Sequence, residues 1–173
     1  MGNLSNTAIA GIIAIVSTTL QFACMSQFTP LIDEAAFEEP GPFTLKFGEF
    51  VDDFEAAMYN AVDLSAYITL MYWDWAFAIF GGISKMSLLY LLTSQAKWPW
   101  YTVPVHVFLD VLENFIVFIA LNQFENDASV NGMVGMLPIV SSIKWASAGL
   151  NTGSIPVLAI YRLIMLFVKE KED

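Results

Sequence analysis

Three stretches of this chain hold close to the twenty consecutive apolar residues that a bilayer core about 30 Å thick demands of a helix. They fall at 7–25, 67–92 and 103–124. Hydrocarbon offers no water to backbone N–H and C=O groups, so such runs fold as helices that satisfy their own backbone. A fourth stretch, 132–168, is mostly apolar but longer than one untilted crossing needs at about 1.5 Å per residue. It contains Pro138, Pro156 and the Gly149 to Gly153 segment. It reads as one tilted or broken helix whose end projects beyond the bilayer, with neighbours satisfying the carbonyls that proline frees. The expected fold is all-α: one membrane domain over 1–173, built as a four-helix transmembrane bundle.

Composition agrees with that solvent. The chain is 57% hydrophobic with a mean hydropathy of +0.60, above the roughly 45–50% apolar content of soluble domains. Its net charge is −10, and its seven basic residues are scattered, which argues against nucleic acid as a partner. The expected partners are the lipid bilayer and other membrane subunits, or further copies of the chain. Cys24 is the single cysteine and sits in an apolar run, so it reads as an inert buried thiol. The first run lacks a basic n-region and exceeds a typical signal-peptide core, so it reads as a retained span.

The longest connection, 26–66, is acidic. Its first half carries turn residues Pro30, Pro40, Gly41 and Pro42. In its second half Phe47, Phe50, Val51, Phe54, Met58 and Ala61 recur at helical spacing, with Glu49, Asp52, Asp53, Glu55 and Asn60 on the other side. This predicts an amphipathic surface helix in the first extramembrane loop, lying on the membrane or capping the bundle. Basic residues set orientation. With four spans, Lys97, Arg162, Lys169 and Lys171 share the side of both termini, and Lys46 alone marks the other. The termini are therefore expected on the cytoplasmic (or matrix or stromal) side.

The spans also carry polar groups, each costing roughly 2.5–3.5 kcal/mol near the bilayer centre on insertion scales. Asp74, Ala78, Gly81 and Lys85 follow the spacing i, i+4, i+7, i+11 and share one face of the second span. The small pair between the charges admits another helix or water. Lys85 reads as a side chain snorkelling to the inner interface. His106, Asp110, Glu113 and Asn114 share a face of the third span, the last two near its middle. Two carboxylates one turn apart in low dielectric repel and call for a cation. Lys144, beside Trp145, is the obvious counter-charge for Asp74, Asp110 or Glu113. Ser142, Ala146, Gly149 and Gly153 form a small-residue stripe that suits close helix packing, inside the bundle or between subunits.

The aspartate early in span two, Asp-x-x-Glu-Asn in span three and Ser-x-x-Lys-Trp in span four resemble an uncharacterised family of small four-span membrane proteins. The matching residues are Asp74; Asp110, Glu113 and Asn114; and Ser141, Lys144 and Trp145, over roughly 67–168. The resemblance implies the topology and the polar set, and no activity. The chain departs from that pattern in Trp73, Trp75 and the long acidic loop.

Three functional classes follow. The first is a non-catalytic structural or accessory subunit of a membrane assembly, in which Asp74, Asp110, Glu113, Asn114 and Lys144 form a buried network that fixes helix register. The second is an ion, proton or small-solute channel or transporter acting as an oligomer, with His106 in a relay. The third is a membrane enzyme or metal site drawing on His106 as a ligand beside Asp110 and Glu113. The third has least support: the chain has one histidine, no Glu-x-x-His pair, no His-Glu-x-x-His motif and no phosphate loop. No cofactor is indicated.

Overall fold

A computed structural model describes residues 5–28, 30–31, 64–93, 98–126 and 134–169. The described residues are all-α, with four long helices: α1 (Asn6–Met25), α2 (Leu64–Thr93), α3 (Trp98–Glu125) and α4 (Leu137–Lys169). The acidic loop's predicted surface helix, and Lys46, Lys97, Asp127 and Lys171, lie outside the described residues. Helix α2 begins three residues ahead of the predicted span, because nothing in Leu64-Ser65-Ala66 breaks it.

Among the described residues three helices are long and apolar enough to cross a membrane: Asn6–Met25, Ile68–Thr93 and Trp100–Phe124. Helix α4 is one continuous element of 33 residues, about 50 Å at 1.5 Å per residue, and contains Pro156 within it. Its mean hydropathy is lowered by the inward row Ser141, Lys144, Ser147 and Asn151 and by Arg162 further along. The proline does not break the helix; it removes one ladder hydrogen bond.

Each helix runs antiparallel to the next. Ser5 caps the start of α1, its hydroxyl accepting from the Ala8 N–H at 3.2 Å. Helix α1 packs chiefly along α2, matching Thr18 with Ser84 (2.6 Å between hydroxyls) and Phe28 with Phe77 (ring centroids 5.4 Å apart). Helices α2, α3 and α4 pack on one another, so α1 is the peripheral member. An apolar core from α2, α3 and α4, including Met71, Val117, Leu121, Leu137 and Val140, fills the end where α3 finishes and α4 starts.

Two adjacent glycines let α2 sit between its neighbours. A Cβ on Gly81 would come within 2.6 Å of the Gln21 amide nitrogen of α1, and one on Gly82 would strike Val107 Cγ2 of α3. The gap that Gly81 leaves beside Asp74, Ala78 and Lys85 is thus taken by the α1 glutamine. Gln21 is a flexible side chain, whereas Val107 is β-branched and stiff. Gly82→Ala should therefore destabilise by about 1–3 kcal/mol through overpacking, less up to ~1 kcal/mol of improved helix propensity. Thermal unfolding in detergent measures this, and the Gly82→Ala, Val107→Ala pair should lose less than the sum of its two single changes.

Candidate functional site

The polar groups meet at the middle of α3. Asp110 and Glu113 lie one turn apart on the face that α4 covers, and Asn114 beside them faces α2. Helix α4 brings in Ser141 and Lys144, which are also one turn apart, so two i, i+3 pairs interlock.

Lys144 is the hub. Its Nζ lies 2.9 Å from Asp110 Oδ1 and donates to Glu113 Oε2. Ser141 Oγ donates to Glu113 Oε1, so both oxygens of that carboxylate accept. The side chains of Lys144, Asp110 and Glu113 are only 12%, 11% and 7% exposed, so water does little of the solvation. The ammonium also stands 5.3 Å from the centre of the Trp145 ring, in cation–π range. Trp145 is itself exposed on the outer side of α4 and shields the lysine from that direction.

Asp74 does not pair with Lys144. Its Oδ2 accepts from the Asn114 side-chain amide at 2.6 Å, tying α2 to α3. His106 Nδ1 lies 3.3 Å from the Lys144 carbonyl; a carbonyl only accepts, so the imidazole donates there. Lys85 is half-buried in α2 and forms no ion pair among the described residues. Gly149 and Gly153 lie on the exposed face of α4, and a Cβ at either would meet nothing within 4 Å. They pack no other described helix of this chain.

Among the described residues no group of three His, Cys, Asp or Glu side chains is placed to hold a metal. The reason is local: Asp110 and Glu113 turn their oxygens to one ammonium, and His106 turns a nitrogen to a carbonyl. Cys24 is buried in α1, away from this cluster.

Some contributors carry weaker sequence signals. Ser141 is legible as a partner of Lys144 only through the i, i+3 spacing. Asn151, fully buried, continues the row Ser141, Lys144, Ser147 along α4; its carbonyl accepts from Thr152 and its amide nitrogen has no partner among the described residues. Trp75 Nε1 is likewise buried with no partner among the described residues, its ring held against Tyr72 (5.4 Å) and Phe118 (6.5 Å). Arg162 donates to the Leu91 carbonyl and so covers the last turn of α2.

No family model, curated sequence or solved structure matches the chain.

Removing a partner from a buried ion cluster costs more than neutralising one member in place. Lys144→Met leaves two facing carboxylates uncompensated and should cost about 3–5 kcal/mol. Glu113→Gln keeps an oxygen for Lys144 and leaves Asp110 as counter-ion, so about 1–2 kcal/mol is expected. Unfolding midpoints in one detergent should rank wild type above Glu113→Gln and that above Lys144→Met; the reverse order of the two variants would refute a shared counter-ion role for Lys144.

Proposed function

We propose that this chain is a non-catalytic accessory subunit of a membrane assembly, crossing the bilayer four times, with a polar network that sets the register of its helices. The observation that carries this reading is the closure of the central cluster. Lys144, Asp110, Glu113 and Ser141 take their partners from one another inside the chain. Acids and a base committed in this way leave little with which to engage a substrate.

A fourth crossing is supported by depth. The Ser141 and Lys144 contacts set the first half of α4 alongside the middle of α3, and Arg162 reaches the end of α2 two helical stretches later. The polar row of α4 then faces protein, and its remaining faces, with Ile143, Leu150, Val157 and Ile160 exposed, are suited to lipid or a neighbouring subunit. The open Gly149 and Gly153 positions on that outer side suit close approach of a partner helix. The scattered basic residues support termini on the cytoplasmic (or matrix or stromal) side.

A second reading, oligomeric passage of an ion, proton or small solute, is favoured by charge balance: three carboxylates (Asp74, Asp110, Glu113) share the network with one ammonium. Reconstituted protein separates the two. The accessory reading expects no flux in wild type; flux that Glu113→Gln abolishes while the fold survives would replace it with the transport reading.

Association supplies the direct test. Native sizing after gentle detergent extraction should show the chain migrating with other subunits, well above its own 19.2 kDa. Gly149→Leu should release it without lowering its unfolding midpoint, since the added side chain enters open space. A lone monomer, or a complex of this chain only, would overturn the accessory role.

A further inference from the structure

Between α1 and α2 runs a groove of about 470 Å³, within the ~300–1,000 Å³ typical of ligand sites, open along one side. Its walls change character along the helix axes. Ile13 of α1 and Ile83 of α2 line its deep end, with Ile9 and Met86 one turn nearer the helix ends. At the mouth stand Asn6, Tyr90 and Trp100. Asn6 is the first residue of α1, Tyr90 lies in the last turn of α2 and Trp100 in the first turn of α3. The mouth is therefore level with the ends of three helices, and Ile13 and Ile83 lie seven residues deeper, about 10 Å.

We infer that this groove binds one membrane lipid with an uncharged or zwitterionic headgroup, its acyl chain along the isoleucine-lined walls and its polar end at Asn6, Tyr90 and Trp100. Three observations converge on that occupant. The groove is continuous with the exposed apolar surface of α1 and α2, both long and apolar enough to cross a membrane. Its polarity runs from hydrocarbon-like in the depth to hydrogen-bonding at the helix ends, the order found along a lipid. Its donors and acceptors are a carboxamide, two hydroxyls (Ser87 and Tyr90) and an indole, with no charged side chain on the wall among the described residues. Recognition of an anionic head draws on clustered Lys and Arg, and the described residues of this wall include none. A helix from a second copy is a poorer fit, since close helix contacts use small residues and only Ala10 and Ser87 of the lining residues are small.

The test uses delipidated full-length protein and native mass spectrometry with dioleoyl phosphatidylcholine or dioleoyl phosphatidylglycerol as probes. One phosphatidylcholine should be retained per chain, in preference to phosphatidylglycerol. Ser87→Phe, which fills the groove from α2, should weaken retention by about tenfold or more. Tyr90→Phe removes only the mouth hydroxyl and should weaken it by a smaller factor with the unfolding midpoint unchanged, which keeps the test valid if Ser87→Phe folds poorly. Retention equal in wild type and both variants would overturn the site. So would a preference for phosphatidylglycerol, or a wild-type dimer that Ser87→Phe dissociates, which would assign the groove to a second copy.

Discussion

A charge that leaves water must bring its solvation with it, and in this chain that solvation is other side chains. Lys144 is surrounded by Asp110, Glu113 and the face of Trp145. Each contact fixes a distance between helices as well as offsetting a desolvation cost. The i, i+3 pair on α3 meets the i, i+3 pair on α4, and a slip of one residue in either helix would rotate an acid or the ammonium about 100° away from its partner. Apolar packing alone tolerates such slips far better, since one exposed isoleucine resembles another in lipid. Ionic geometry therefore selects one register where hydrocarbon would accept several.

The other helices are fixed by progressively weaker ties. Helix α2 is held to α3 by the Asp74–Asn114 hydrogen bond and by the close approach at Gly82. Helix α1 is held to α2 by a hydroxyl pair and by Gln21 lying over Gly81. The most charged contact is central, and α1, which packs chiefly on α2, is held by uncharged contacts.

The helices at 7–25, 67–92 and 103–124 are legible in the sequence because length and hydropathy alone specify them. The convergence of Asp110, Glu113 and Lys144 is legible for a similar reason, since charges in oil have few choices. What the sequence leaves open is choice among equals. Asp74, Asp110 and Glu113 are equivalent candidates for Lys144 on paper, and only the helix positions decide that Asn114 takes Asp74. Helix α4 is less legible from hydropathy: the polar row that it turns to its neighbours lowers its apolar character. The outward face of Gly149 and Gly153 is invisible for a related reason, because a small-residue stripe has the same spacing whichever way it points.

The order of the two halves of the ion cluster along the chain has a consequence for biogenesis. Lys144 follows Glu113 by 31 residues, so a ribosome delivers both acids of α3 before it delivers their counter-ion. Until then each acid near the middle of α3 carries a cost of roughly 2.5–3.5 kcal/mol in a membrane that no side chain of α4 offsets. The acids of α3 therefore meet their internal counter-ion only once α4 has been made, so the register they fix is set late in synthesis.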